Sequence, residues 1–247
     1  MRKKFLSILL TALFCLMCAA AASAHAAEES VRKAPALEET PSSIELVMVL
    51  DKSGSMHGLE ADTIGGFNSM IEKEKKLNVD VQVTTVLFND KTDLLYERRN
   101  ILHVHPLTER DYETGGTTAL LDAVGGTILR MERTGVTAKK GTKVIFVIIT
   151  DGMENASTEF TKEKVKKLIS DKQEKEGWDF IYLGANIDAA EEAGAIGVSK
   201  ANAVTYKNTS SGVRANYDAV GAYVAERASG SKKSDAWKDH VEQDTGK

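Results

Sequence analysis

Ile44-Glu45-Leu46-Val47-Met48-Val49-Leu50 is an almost unbroken apolar run, and it ends in Asp51-Lys52-Ser53-Gly54-Ser55. A strand with one wet face would alternate apolar and polar residues, so a continuous run stopped by an acid and a glycine predicts a strand buried on both faces. Lys143 to Thr150 (KVIFVIIT) has the same character and also stops at an acid and a glycine, Asp151-Gly152. Around these two runs the period changes repeatedly. Leu59 to Leu77 places Ile64, Phe67, Met70 and Ile71 at helical spacing, and Gly65-Gly66 within it predicts close packing against a neighbour. Val79 to Phe88 is rich in Val and Thr and reads as a strand, with Asp93 to Ile101 as a second one after a short turn. Helices are expected over 118–133, 161–175, 186–195 and 210–228, and further strands over 178–183 and 203–206. Strands alternating with helices specify an α/β fold: a single doubly wound, mostly parallel sheet flanked by helices, with one short antiparallel edge strand. One domain spans 44–228, and the polar composition of 229–247 predicts a frayed tail.

The composition narrows the function. Of 247 residues, 42% are hydrophobic and three are proline, which excludes a disordered or Pro-rich fibrous chain. A formal net charge of −4 gives no basic field for nucleic acid. Arg2, Lys3 and Lys4 precede an apolar segment from Phe5 to Ala22, and Ala24-His25-Ala26 follows it. That order describes a secretory signal peptide over 1–26, cleaved after Ala26 or, as the alternative, after Ala24. The competing reading is an uncleaved membrane anchor. Residues 27–43, with Pro35 and Pro41, read as a linker. Both cysteines, Cys15 and Cys18, would leave with the signal, and with them go disulfides, thiolate catalysis and Cys-ligated zinc. The expected location is extracytoplasmic: secreted, periplasmic or attached to the cell wall, with no stable membrane insertion after cleavage.

In open α/β sheets, ligands bind beyond the carboxyl ends of the strands. Three loops belong there: 51–56, 114–118 and 151–154. Asp51, Ser53 and Ser55 can point the same way from an extended turn, Asp151 supplies a second carboxylate, and Gly115-Gly116-Thr117-Thr118 offers a hydroxyl at a helix start. An all-oxygen set with few charges suits a hard divalent cation. Hydroxyls are neutral donors, so an ion held mainly by them keeps charge for an external anion.

The Asp51-x-Ser53-x-Ser55 pattern within VLDKSGSM, a following Thr, and IITDG at the later strand end resemble the metal-ion-dependent adhesion site of von Willebrand factor type A domains. The resemblance covers roughly 44–228. DGMEN at Asp151 to Asn155 is similar to the stand-alone bacterial members. The resemblance implies Mg²⁺ or Mn²⁺ as the cofactor, with Ser53, Ser55 and Thr118 as direct ligands and Asp51 and Asp151 acting partly through water. Thr117 is the alternative to Thr118. It also implies a protein partner that supplies an acidic side chain to the metal; integrin-like partners do not carry over.

Other readings compete. Asp51 and Ser53 could simply cap the next turn. A metal-dependent hydrolase or phosphatase would use Asp51 or Asp151, but Asp-nucleophile phosphotransferases usually carry a second Asp where this chain has Ser53. A third possibility is a scaffold whose metal only stabilises the loops. Adhesion or scaffolding without turnover is the expectation, because no general base, nucleophile and oxyanion set converge in sequence. His103-x-His105 lacks a third zinc ligand and reads as surface. His57 lies beside the proposed metal, and Glu154 could stand behind the ligands as an acceptor or be an exposed loop acid. Asn155-Ala156-Ser157 and Asn208-Thr209-Ser210 match glycosylation sequons, discounted because the signal and the resemblance are bacterial.

Overall fold

The computed structural model describes residues 40–135, 140–185, 187–231 and 233–245. The signal-peptide reading of 1–26 and most of the expected linker lie outside the described residues.

Six strands form one sheet: β1 (Ser43–Asp51), β2 (Asp80–Phe88), β3 (Thr92–Asn100), β4 (Thr142–Thr150), β5 (Asp179–Ala185) and β6 (Ala203–Tyr206). Their order across the sheet is β3-β2-β1-β4-β5-β6. Every neighbouring pair is parallel except β2 and β3. The helices are α1 (Glu60–Glu74), α2 (Leu120–Arg133), α3 (Lys162–Glu176), α4 (Ala189–Ala195), α5 (Ser210–Ala228) and α6 (Asp239–Thr245). This is the expected doubly wound α/β sheet with an antiparallel edge. The edge strand is not short, however: β3 is nine residues long, as long as β2.

The unbroken apolar runs follow from burial on two faces. In β1, Leu46, Met48 and Leu50 pack with Phe67 and Met70 of α1 and Tyr217 and Val220 of α5. Val47 and Val49 point the other way, into Leu121, Val124 and Ile128 of α2 and Val165 and Ile169 of α3. α1 and α5 come close because position 66 is glycine: a Cβ there would sit 2.4 Å from the Tyr217 ring, whereas one at Gly65 would meet nothing within 4 Å. Of the glycine pair, only Gly66 serves the packing.

The polar tail expected beyond 228 is corrected by the structure. Trp237 is buried, its ring 5.6 Å from that of Tyr223 in an edge-on arrangement, and Val241 is fully buried on the same core. Two apolar residues one helical turn apart tie the segment down, a signal that the average composition hides. Among the described residues no helix is long and apolar enough to cross a membrane.

The sheet order sets the position of the site. From β1 the chain builds outward through β2 and β3, then returns to place β4 on the other side of β1. The crevice at this reversal lies beyond the carboxyl ends of β1 and β4. Leu50 is level with Ile149, so Asp51 and the Thr150-Asp151 pair emerge side by side.

Candidate metal centre

Asp51 closes β1 and is almost wholly buried, as is Ser53. Its Oδ1 accepts the Ser53 backbone N–H at 2.7 Å, which folds the chain into a tight turn. Its Oδ2 accepts the Thr150 hydroxyl at 2.6 Å. Its backbone carbonyl accepts the Tyr112 hydroxyl. The Ser53 and Ser55 hydroxyls lie 3.1 Å apart, and Ser55 donates to Asp151 Oδ1 at 2.5 Å. The other Asp151 oxygen accepts the Asn208 side-chain amide at 3.0 Å.

The loop at 114–118 is stitched to the first. Gly54 N–H donates to the Gly116 carbonyl at 3.1 Å, and Gly115 N–H to the Lys52 carbonyl at 2.9 Å. Gly116 has φ +77°, a left-handed conformation that side chains rarely adopt, and a Cβ there would also push the exposed Asp90 carboxylate aside. Thr118 is buried while Thr117 is exposed. A Cβ on Gly152 would lie 3.1 Å from Thr118 Oγ1 and 3.5 Å from Ser55 Oγ, which places both hydroxyls over the same glycine. Of the two threonines, therefore, Thr118 faces the cluster. Its backbone is held by Asn155 in a reciprocal pair: Thr118 N–H donates to Asn155 Oδ1 at 2.9 Å, and Asn155 N–H to the Thr118 carbonyl at 3.1 Å.

All five residues singled out from the sequence, Asp51, Ser53, Ser55, Thr118 and Asp151, thus meet in one crevice. Burial pushes the Asp51 carboxyl above its ordinary range, with the charge of Asp151 adding to the rise and hydrogen bonds from Thr150 and Ser53 opposing it. Burial raises Asp151 as well, against the bonds from Ser55 and Asn208. Among the described residues neither carboxylate has a Lys, Arg or His partner. Nor do three or more His, Cys, Asp or Glu side chains cluster as metal ligands, so this set has two carboxylates and otherwise neutral oxygens. Two partly desolvated acids with three hydroxyls and no neutralising side chain fit a hard divalent cation.

Four participants were not assigned to the site from the sequence. Thr150 is a polar residue ending an apolar strand, a signal that was there to be used. Asn155 and Asn208 both stand in sequons; Asn208 donates to Asp151, and the exposed Asn155 accepts from the Thr118 backbone. Tyr112 carried no local signal. Glu154 does not stand behind the cluster. It accepts from Leu121 N–H at 2.9 Å, from Ala156 N–H at 2.9 Å and from the Ser157 N–H and hydroxyl at 2.7 and 2.8 Å, so it holds the loop to the start of α2. His57 is exposed and sits 3.2 Å from Glu60 at the rim. His103 ends a 3₁₀ turn and His105 follows in coil, so the two share no strand face.

The fold places the chain among known structures. Proximal thread matrix protein 1 from the mussel byssus, with a zinc-occupied MIDAS motif, aligns at TM-score 0.53 and 16% identity over 75% of this chain and 46% of that one. The von Willebrand factor type A structure from Catenulispora acidiphila aligns at TM-score 0.50 and 13% identity over 76% of this chain and 43% of that one. The fold is that of a von Willebrand factor type A domain. The PilB minor pilin from Streptococcus sanguinis shares this VWA-like architecture at TM-score 0.51 and 10% identity, over 76% of this chain and 62% of that one. The chain spans less than two thirds of each of these proteins. No family model and no curated protein matches the sequence.

Proposed function

We propose that this chain is an exported, divalent-cation-dependent protein-binding domain with an adhesion or scaffolding role. Asp51, Ser53, Ser55, Thr118 and Asp151 hold Mg²⁺ or Mn²⁺, and a protein partner contributes an acidic side chain. The observation that carries the reading is the meeting of these five side chains, three hydroxyls beside two buried carboxylates that have no cationic partner among the described residues. When bound, the ion supplies an electrophilic position for a carboxylate from outside. The chain's own residues hold the donors in place: Thr150 fixes Asp51, Asn208 fixes Asp151, and Asn155 fixes Thr118.

The arrangement favours binding over turnover. His57 and Glu60 are engaged with each other, and Glu154 is saturated by loop donors. Among the described residues that leaves no uncommitted base beside the two aspartates. An extracytoplasmic location fits the MIDAS-bearing byssus protein and the pilin as structural neighbours.

Calorimetry with Mg²⁺ and Mn²⁺ on the parent chain, Asp51→Ala and Asp151→Ala tests the site; undiminished affinity in both variants overturns it. Partner capture from the extracytoplasmic fraction tests the role: it should vanish with EDTA, return with Mg²⁺ and fail in Thr118→Ala. Turnover of phosphoesters or peptides that disappears in Asp51→Ala would replace this reading with a hydrolase. N-terminal sequencing of exported material should start at about residue 27, as the small-residue cleavage pattern dictates.

A further inference from the structure

The surface over the metal centre is built from small residues: Gly54, Ser55, Gly116 and Thr117 are all exposed. Two larger side chains rise beside them, His57 and Met153. The loop of His57 leads into α1, which packs on one face of the sheet, and Glu154 ties the loop of Met153 to Leu121 of α2, which packs on the other. The two side chains therefore flank the crevice. They differ in kind. His57 is engaged with Glu60 at 3.2 Å and sits 3.5 Å from the Thr114 hydroxyl. Met153 is apolar and 60% exposed. Three large hydrophobic side chains are exposed among the described residues. Leu94 belongs to the edge strand β3 and Leu102 to the turn after it, so Met153 alone stands beside the metal centre.

A loose loop does not explain this exposure, because the backbone is fixed on both sides of position 153. Gly152 N–H donates to the Thr150 hydroxyl at 3.2 Å. Glu154 takes donors from Leu121, Ala156 and Ser157, and Asn155 forms its reciprocal pair with Thr118. A single exposed apolar side chain is ordinary on a protein surface. This one is set apart by lying two residues from Asp151 on a pinned loop. Its burial by a partner would order little besides its own rotamers, so most of the apolar gain would remain as affinity. An unbranched thioether also adapts to aliphatic and aromatic surfaces alike. We propose that Met153 is a specificity-determining contact: the acidic side chain that completes the metal shell is flanked in the partner by an aliphatic or aromatic residue, which packs on Met153. This rests on the metal-dependent binding reading above and narrows its partner to an extended segment carrying an acid next to an apolar side chain.

The test is calorimetry on the full chain saturated with Mg²⁺, titrated with three blocked tripeptides: Gly-Asp-Gly, Gly-Asp-Leu and Leu-Asp-Gly. At least one leucine peptide should bind about fivefold more tightly than Gly-Asp-Gly, the worth of roughly half-burying a leucine side chain. Which of the two gains shows the direction in which the partner chain crosses the crevice. Met153→Ser should abolish the advantage, and Met153→Leu, which keeps an apolar side chain of similar volume, should retain it. Neither substitution should change Mg²⁺ affinity or the binding of Gly-Asp-Gly, because the side chain is exposed and touches no residue of the metal shell. Equal binding of all three peptides, or a leucine advantage that survives Met153→Ser, would overturn the role of Met153 and leave the metal centre standing. Peptides that bind no better with Mg²⁺ than with EDTA would overturn the metal-dependent reading itself, and this contact with it.

Discussion

At the carboxyl end of the sheet two buried carboxylates, Asp51 and Asp151, have no cationic side chain beside them among the described residues. At the amino end one buried carboxylate, Asp179, is shared by Lys143, Arg227 and Lys233. Both clusters take charge out of water, which is costly unless it is compensated. At the amino end compensation is internal, so the cluster belongs to the folded state itself. At the carboxyl end compensation is only partial, through hydroxyl and amide hydrogen bonds, and the remainder is left to a solute. The same residue type should therefore behave oppositely under mutation at the two ends.

The largest effect should come from Asp179→Ala. Removing the acid takes away the carboxylate that the buried Arg227 shares with Lys143 and Lys233, and breaking a buried pair in this way costs about 3–5 kcal/mol. Urea unfolding should register the loss, and a change below ~1 kcal/mol would mean that the cluster is solvated and the contrast false. At the metal end, Asp51→Ala and Asp151→Ala in EDTA should unfold close to the parent, because each substitution relieves repulsion between desolvated acids. The parent alone should then gain stability on adding Mg²⁺, about 2.7 kcal/mol when the ion stands at 100 times its dissociation constant. Equal Mg²⁺ stabilisation of parent and variants would break the assignment of the site.

How much of this was legible in the sequence differs between the two ends. At the carboxyl end the convergence of the five named residues was legible, because Asp51-x-Ser53-x-Ser55 is local and Asp151 ends a run as apolar as the first. Local patterns survive folding, and the parallel sheet then places both strand ends together. The amino-end cluster joins residues 143, 179, 227 and 233 through tertiary packing, and no spacing announces it. Asn208 was visible only as a sequon, and Asn155 as a sequon and the end of DGMEN, since the bonds that define their role reach 57 and 37 residues along the chain. Trp237 and Val241 were hidden because composition averages over a segment, while burial depends on two side chains.

A third acid sharpens the comparison. Glu74, on the last turn of α1, is buried against α5 and has no ion-pair partner among the described residues; its Oε2 also lacks a hydrogen bond. Burial pushes its carboxyl up to about 8, with Lys73 opposing the shift weakly. The folded state therefore holds a proton that the unfolded chain releases near its ordinary value of 4.5. Stability from this group is fully present below that value and is lost as pH rises toward about 8. Glu74→Gln should remove this decline and stabilise the protein at pH 8 by about 1–3 kcal/mol, the desolvation cost of an unsatisfied buried group. Thermal midpoints of both proteins from pH 5 to 9 decide it: parallel curves would mean that water reaches Glu74.

The smallest effect separates two adjacent positions on the helix that runs between the two ends. Gly65 and Gly66 cost α1 the same intrinsic propensity, yet only one has a reason to stay. Gly66→Ala would drive a Cβ to 2.4 Å from the Tyr217 ring, which is fully buried between α1 and α5 and cannot swing away. Overpacking of that kind costs about 1–3 kcal/mol. Gly65→Ala meets nothing within 4 Å and removes the entropy that glycine loses in a helix, so it should gain about 0.5–1 kcal/mol. Because Gly65 touches neither charge cluster, the gain should be the same with Mg²⁺ and with EDTA. Denaturant unfolding in the two conditions measures it. A gain that differs between them would mean that α1 moves when the metal centre fills.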